Sequence, residues 1–297
     1  MKLLRFKHHG QSHTGVVTPN GVVPIDEINA KFGLRVPNDL LTIIQTAAQL
    51  QIPCAGELHT MPGLPYEDVT PILPYDVPPK IWCIGLNYKS HAEDIAAVQP
   101  EEPGSFMKPA SCMFRPGGEI VLPPAFVSDD VDAEGELGVV IGKTSRFLRG
   151  PEDAADAIFG YTTTLDLTAL DVLRKNTRYL TRAKSIDTFF SFGPVIVTRD
   201  EVSDVESLEV ITEHSAAPAG ICSRDFVRNM RHRPFELVRF HSDFMTLYPG
   251  DLLSTGCPKG ARIRPGDRVA ARIDGVGRIT ATVRAADMNA VNSRSLG

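Results

Sequence analysis

The pattern of polar and apolar positions is most informative over residues 132–143, which read DAEGELGVVIGK. Asp132, Glu134 and Glu136 occupy alternate positions ahead of an apolar run, which predicts a β-strand with its carboxylates on one face. A strand rises roughly 3.3 Å per residue, so neighbouring carboxylates would stand about 7 Å apart where the strand enters the core. Like charges crowded there favour a cation between them. The alternative is a solvated acidic turn ahead of the strand.

Other apolar runs predict further strands and one clear helix in the larger part of the chain. Ile81–Gly85 and residues 193–198 indicate short buried strands, and residues 268–284 indicate a hairpin around an Asp-Gly turn. Residues 232–247 predict a helix with proline in its first turn. Its apolar face is predicted to carry Leu237, Phe240, Phe244 and Leu247. Short strands punctuated by glycine, with few helices, favour an antiparallel or mixed β-rich fold.

The beginning of the chain predicts a small unit of its own. A helix is expected over residues 38–51, capped by Asn38 or Asp39. The proline- and glycine-rich stretch after it indicates an ordered linker. We therefore expect a small domain over residues 1–75 and a larger domain over residues 76–297. The short strands of the small domain are predicted at residues 1–6, 15–18 and 21–25.

Composition limits the functional classes. The chain has 297 residues, 42% of them hydrophobic, with a net charge of −5 and an isoelectric point near 5.9. This balance argues against a nucleic-acid binder, and no apolar stretch approaches the ~20 residues of a membrane span. Five scattered cysteines show neither a disulfide framework nor a CxxC zinc site. These features predict a cytoplasmic protein with reduced thiols.

Several further motifs accompany the acidic strand in a fixed order. They read IGLNYKSHAED at 84–94, FMKP at 106–109, GYTTTLDLT at 160–168, AKSIDTF at 183–189, PGD at 249–251 and TGCP at 255–258. In this order the sequence closely resembles the fumarylacetoacetate hydrolase family, on its acylpyruvase, decarboxylase and isomerase branch. The resemblance covers about residues 78–285. It implies a β-rich α+β fold, a mixed-sheet roll of the family's C-terminal domain type behind a small N-terminal α+β domain, and it implies a homodimer.

The resemblance also implies a metal site. The family binds Mg²⁺, Mn²⁺ or Ca²⁺ through the two glutamates of its E-x-E strand and a later aspartate, which are Glu134, Glu136 and Asp166 here. Hard oxygen ligands suit these ions. Asp132 is expected to be a neighbouring acid rather than a ligand.

Catalytic and substrate-binding roles follow from the same resemblance. Lys184 matches the lysine that neutralises charge developing on the substrate. His91 matches a histidine that activates water together with an acid three positions later, which is Asp94 here. Residues near the substrate are expected to be Lys108, Thr255 and Gly256.

The sequence departs from the family pattern at several of these positions. Asp94 stands where a glutamate is usual, and Leu170 and Leu173 stand where the family has an arginine and a glutamine that hold a substrate carboxylate. Leucine cannot replace a bidentate arginine. Either another cation replaces that arginine, or the substrate has a less polar end. The candidate cations are Arg174, Arg178 and Arg182.

Three functional hypotheses remain. The first is a divalent-metal-dependent hydrolase that cleaves a C–C bond in a β-diketo acid or related acylpyruvate-like ketone through a metal-stabilised enolate. The second is a decarboxylase or keto–enol isomerase of a 2-oxo acid that uses the same metal site. The third is a non-catalytic metal-binding relative, which the joint retention of His91, Lys184 and the three metal ligands disfavours.

Overall fold

The structure is a computed structural model that describes residues 1–50 and 52–287. Its strands are β1 Lys2–His8, β2 Gln11–Thr18, β3 Gly21–Pro24, β4 Thr70–Pro71, β5 Ile81–Gly85, β6 Gly104–Met107, β7 Glu119–Leu122, β8 Val131–Ile141, β9 Ile158–Ala169, β10 Phe190–Thr198, β11 Glu209–His214, β12 Ile221–Phe226, β13 Leu252–Ser254, β14 Ala261–Ile263, β15 Arg268–Ile273 and β16 Gly277–Ala285. Its α-helices are α1 Ile25–Phe32, α2 Leu40–Thr46, α3 Ala55–Leu58, α4 Lys89–Asp94, α5 Pro151–Ala157, α6 Leu170–Lys175, α7 Leu180–Lys184 and α8 Pro234–Ser242.

The described residues form two sheets. The larger sheet has the order β3-β2-β1-β10-β9-β8-β13-β5-β6, with β4 paired to β1 and β14 paired to β8, and the smaller has the order β12-β11-β15-β16-β7. Most pairs are antiparallel, whereas β13 with β5 and β16 with β7 are parallel. The prediction of a β-rich α+β fold with a mixed sheet is confirmed.

Strand β8 lies at the centre of this arrangement, and all of its residues are buried. Its odd-numbered residues Val131 and Ala133 join a core cluster with Ala271 and Ile279 of the smaller sheet. Because side chains alternate along a strand, the even-numbered acids face away from the smaller sheet. The predicted strand is confirmed, and the alternative of a solvated acidic turn is wrong because this segment is buried on both faces.

The N-terminal strands fall where the sequence predicts them, except that β2 begins four residues early at Gln11. They extend the larger sheet, because β1 pairs with β10. Helix α2 begins after Asp39, whose side chain accepts a hydrogen bond from Thr42 N at 2.8 Å. It ends at Thr46, before a short 3₁₀ turn, and the predicted end at residue 51 lies outside the described residues. The division into domains of 1–75 and 76–297 stays a prediction.

Near the other end of the chain, the predicted hairpin is present, whereas the predicted helix is shorter than expected. The hairpin is formed by β15 and β16 with Ile273 opposite Gly277. Helix α8 is shorter than predicted, since it ends at Ser242. Phe244 is 56% exposed, so its place on the buried face of that helix is wrong. The chain leaves the helix there because Leu247 bonds through its backbone to Ser145.

Gly135 sits where β8 approaches the smaller sheet, and we expect Gly135→Ala to destabilise the protein. A Cβ there would lie 2.8 Å from Thr212 Oγ1 and 3.1 Å from Ala271 Cβ, so the sheets would have to separate. Overpacking of this kind costs about 1–3 kcal/mol in the free energy of unfolding, which urea denaturation would measure. Gly56→Ala in helix α3 is the control, because a Cβ there would lie 3.9 Å from Cys54 Sγ, an ordinary contact distance. Equal stability of the two variants would contradict close packing at Gly135.

Candidate active site

The pairing of β8 with β9 brings the predicted metal ligands together. Glu134 lies directly opposite Asp166, and Glu136 is two positions further along β8 on the same face. All three side chains are buried. Each offers a carboxylate oxygen, and these oxygens lie within 4.8 Å of one another. The structure therefore gathers residues from two distant sequence motifs into one cluster.

Two lysines contact this cluster. Lys184, the last residue of α7, places Nζ 2.8 Å from Glu134 Oε2 and 2.7 Å from Asp166 Oδ2. Lys108, directly after β6, forms an ion pair with Asp166 Oδ1 and donates to Leu167 O at 3.3 Å. Three carboxylates against two ammonium groups leave one negative charge uncompensated when all five are ionised.

The pKa values follow from burial and from these charges. Burial alone would raise the pKa of Glu134, but Lys184, His91 and the hydrogen bonds from Lys184 and Thr168 outweigh it, so that pKa is lowered. For Glu136, burial together with Asp166 and Glu134 raises the pKa to about 8. Burial opposes the charged form of Lys184, yet the neighbouring carboxylates, Asp166 first, raise its pKa well above the usual value.

The donor set fits a hard divalent cation. Clustered carboxylate oxygens are the ligands that Mg²⁺, Mn²⁺ and Ca²⁺ prefer. Further hydrogen bonds orient these ligands: Glu136 Oε2 accepts from Ser254 Oγ at 2.5 Å and from Gly256 N at 2.8 Å. Thr168 Oγ1 donates to Glu134 Oε1 at 2.6 Å. An added positive charge would balance the excess of carboxylate.

Asp132 lies on the same face of β8 but outside the cluster, as the sequence predicts. Arg262 Nε stands 2.9 Å from its Oδ1. Burial, followed by repulsion from Glu134 and Asp94, raises the pKa of Asp132 to about 7. This acid is therefore held by an arginine of β14 rather than by the lysines of the site.

His91 and Asp94 lie on the short helix α4, but the structure does not join them by a hydrogen bond. His91 Nδ1 is buried with no hydrogen-bond partner among the described residues. Asp94 Oδ1 is instead 2.7 Å from Lys259 Nζ. Burial lowers the pKa of His91, a shift that Glu134 opposes and Lys184 reinforces. The predicted role of this pair stays a prediction, and the contact on which it depends is replaced by an ion pair.

The predicted substrate-binding residues serve the framework of the site. Thr255 Oγ1 donates to Leu137 O at 2.8 Å. Gly256 has a φ of +95°, and a Cβ there would lie 2.9 Å from Asn87 Cβ. Because Gly256 has no side chain, the loop can pass close to Asn87 and its backbone N–H can reach Glu136. Lys108 contacts Asp166 and Gly256 contacts Glu136, and the substrate-binding role of the three residues stays a prediction.

A cavity of about 530 Å³ opens beside the carboxylates and reaches Glu134, Glu136, His91 and Lys184. Much of its remaining lining is apolar: Ile84, Leu86, Ile95, Phe106, Leu170 and Leu173. Arg174 also lines it, but that guanidinium forms an ion pair with Asp130. Arg178 and Arg182, the other candidate cations, are absent from the lining that the described residues form.

Sequence reasoning missed several residues that shape the site. Ser254 and Thr168 orient the two glutamates, and Lys259 holds Asp94. A signal existed for the first two, because Thr168 follows Asp166 by two positions and Ser254 directly precedes the TGCP motif. Nothing in the local pattern marks Lys259, since 165 residues separate it from Asp94.

Comparison with known proteins places this geometry in a family. The model of the fumarylacetoacetate (FAA) hydrolase C-terminal domain matches residues 80–284. The chain belongs to this family. Over 291 residues it is 33% identical to the mitochondrial oxaloacetate tautomerase FAHD2B of Homo sapiens, which covers 94% of this chain and 90% of the relative.

Solved structures of the fumarylacetoacetate hydrolase family share the fold. Maleylpyruvate hydrolase from Sphingobium sp. SYK-6, in complex with manganese(II) and pyruvate, has a TM-score of 0.77 at 27% identity and covers 97% of this chain and 100% of its own. The 5-carboxymethyl-2-hydroxymuconate delta-isomerase from Mycobacterium smegmatis has a TM-score of 0.73 at 29% identity with the same coverage. The predicted family fold is confirmed, and these relatives are named as enzymes of three reaction types.

We expect the cluster to bind Mn²⁺ and the bound ion to stabilise the fold. At a free ion concentration of about 100 times Kd, binding to the native state alone adds about 2.7 kcal/mol to the free energy of unfolding. Glu136→Gln removes one carboxylate ligand and should weaken binding at least about tenfold. Thermal unfolding and calorimetric titration of metal-stripped protein would measure both effects.

Asp132→Asn is the matched control for that measurement. Asp132 shares the strand face with Glu136 but is paired with Arg262, so its amide variant should bind Mn²⁺ as the unaltered protein does. Equal loss of binding in the two variants would contradict the assignment of the ligands. So would unchanged Mn²⁺ affinity in Glu136→Gln.

Proposed function

We propose that this protein is a divalent-metal-dependent enzyme that interconverts the enol and keto forms of a small 2-oxo acid. Glu134, Glu136 and Asp166 would hold the cation, with Mg²⁺ or Mn²⁺ favoured by the oxygen ligands and Ca²⁺ as a further option. When bound, the cation supplies Lewis-acid stabilisation of negative charge on the substrate oxygens.

The observation that carries this proposal is the arrangement around His91. Its imidazole lines the cavity beside Glu134, while Asp94 is held by Lys259. A histidine without a paired carboxylate can transfer a proton but lacks the partner that would orient it toward an attacking water. Enol–keto interconversion requires only such a transfer and charge stabilisation.

The side chains of the site have distinct roles in this reaction. In the keto-to-enol direction, an imidazole nitrogen of His91 would take a proton from the carbon next to the keto group and deliver it to the keto oxygen, which becomes the enol hydroxyl. The enol-to-keto direction reverses both transfers, so no proton is gained or lost overall. Lys184 adds positive charge between Glu134 and Asp166 and would so stabilise the negative charge that develops on the substrate.

Hydrolysis of a C–C bond in an acylpyruvate-like substrate is the second candidate. It is favoured by the size of the cavity, which leaves room for an acyl group, and by the likeness to a maleylpyruvate hydrolase with bound manganese(II) and pyruvate. That reaction would require Asp94 to exchange Lys259 for His91. Decarboxylation of a 2-oxo acid would use the same cation without that exchange.

We further propose that the substrate carries one carboxylate and an apolar tail. Leu170 and Leu173 line the cavity, and the nearby Arg174 is engaged by Asp130. A second carboxylate placed among these leucines would be buried without a partner, which is costly. Of the two alternatives left by the sequence, this supports a less polar substrate end.

Two further predictions from the sequence concern the cellular location and the oligomeric state. In the part of the chain that the structure describes, no helix is long and apolar enough to cross a membrane. The cytoplasmic location and the homodimer stay predictions.

Substitution of His91 and Asp94 separates the two reactions. For a tautomerase, we expect His91→Ala to lower kcat by about 10²- to 10⁴-fold. Asp94→Asn should lower it by about fivefold at most, because a partly exposed ion pair contributes about 0–1 kcal/mol. Metal-stripped protein reloaded with Mn²⁺ would be offered enolised 2-oxo acids and acylpyruvates, with the products resolved by NMR.

Lys259→Gln is the control for Asp94, because it breaks the same ion pair from the other side. The two variants should behave alike in a tautomerase. A hydrolase would release pyruvate and a carboxylic acid. If Asp94→Asn abolished that release and Lys259→Gln retained it, tautomerisation would be contradicted and hydrolysis established. Absence of turnover of every substrate would contradict both candidates.

The apolar tail is tested by Leu170→Arg. The new guanidinium would face the cavity, and a hydrogen bond to a charged group contributes about 1.5–3 kcal/mol. We expect the affinity for 2-oxoglutarate relative to 2-oxohexanoate to rise at least about tenfold, measured by calorimetry with Mn²⁺ present. Val77→Arg, at a 66% exposed position outside the cavity lining, should leave the ratio unchanged. Tighter binding of 2-oxoglutarate than of 2-oxohexanoate by the unaltered protein would contradict the proposal.

A further inference from the structure

A second group of metal-ligating side chains lies beside the carboxylate cluster. His91, Glu134 and Cys257 offer one nitrogen, one oxygen and one sulfur atom, all within 4.8 Å of one another. All three residues are buried. This set differs in chemistry from the oxygen-only cluster and shares only Glu134 with it.

The sheet topology explains why these three residues meet. Strands β5 and β13 are parallel neighbours, and β13 also pairs with β8. His91 follows β5, and Cys257 follows β13, so both chain segments leave the sheet at the same edge. Glu134 lies toward that edge because β8 runs antiparallel to β13 with Ser254 opposite Gly138. Backbone pairing of β5, β8 and β13 thus brings the segments that carry the three residues to one end of the sheet.

Two of the three ligand atoms are available for a new partner. His91 is 7% exposed, and its Nδ1 has no hydrogen-bond partner within the described part of the chain. Cys257 is a free cysteine that is 2% exposed. Both residues line the 530 Å³ cavity, which gives an ion a path to them. An unpartnered buried imidazole is costly unless something occupies its open position.

We propose that His91, Glu134 and Cys257 form a second metal site, selective for a thiophilic divalent cation such as Zn²⁺. Sulfur, imidazole nitrogen and carboxylate oxygen are the ligands that Zn²⁺ takes in proteins, in a tetrahedral set whose fourth position can stay open. Mg²⁺ and Ca²⁺ favour oxygen ligands and have little affinity for a thiol. Two adjacent sites thus select different ions through their donor atoms.

This site has a consequence for any chemistry at the carboxylate cluster. A cation bound there would engage the His91 imidazole that lines the cavity. It would also engage Glu134, which the oxygen-only cluster needs for its own cation. Zn²⁺ would therefore act as an inhibitor that binds inside the cavity. The inference concerns metal binding and does not depend on which reaction the protein catalyses.

Co²⁺ is the probe for the test, because a cobalt–thiolate bond gives a charge-transfer absorption that oxygen ligation lacks. Metal-stripped protein would be titrated with Co²⁺ without Mg²⁺, because an ion at the oxygen-only cluster would compete for the shared Glu134. Co²⁺ bound by oxygen ligands alone gives no thiolate band, so we expect the band to report the second site and Zn²⁺ to remove it. Cys257→Ser should abolish the band, and His91→Ala should weaken Co²⁺ binding at least about tenfold.

The control variants are Cys54→Ser and Cys222→Ser, which remove the more exposed thiols, and Glu136→Gln, which alters only the first cluster. The band should persist in all three. Cys257→Thr provides a second replacement in case the serine variant fails to fold, as circular dichroism would show. Absence of the band in the unaltered protein, or its persistence in a folded Cys257 variant, would overturn the proposal.

Discussion

The opposition of Glu134 and Asp166 across β8 and β9 is the constraint on which the site depends. Antiparallel register places the two carboxylates on one face, and strand alternation adds Glu136 to them. A one-residue slip of that register would turn the acids toward the smaller sheet and its apolar core. Packing of the odd-numbered residues of β8 against that sheet therefore also fixes the position of the carboxylates.

Burying these acids is costly, and the structure offsets the cost by charge and not by exposure. Lys184 and Lys108 approach Asp166 from two different segments, so the aspartate is compensated from two sides. No ion pair joins Glu136 to a lysine among the described residues, and its carboxylate accepts bonds from Ser254 and Gly256. Burial first, and then repulsion from Asp166 and Glu134, raise its pKa, so a cation bound there would relieve that repulsion.

The fold and part of the site could be predicted from the sequence because their signals are local. The alternation of acids before an apolar run defined β8, and the Asp-Gly turn defined the β15–β16 hairpin. Contacts between distant segments left no such signal. The pairing of Asp94 with Lys259 depends on how the loop after β13 passes helix α4, and the early end of α8 depends on the backbone bonds of Leu247. Phe244 matched the helical period but lies beyond the point where the helix ends.

The loop after β13 links the remaining features of the site. Gly256 binds Glu136 through its backbone, Cys257 lies beside His91 and Glu134, and Lys259 holds Asp94. Three of the four residues from 256 to 259 thus lie against Glu136, His91 and Asp94. A change in this loop would alter the environment of His91 without changing any residue of the carboxylate cluster.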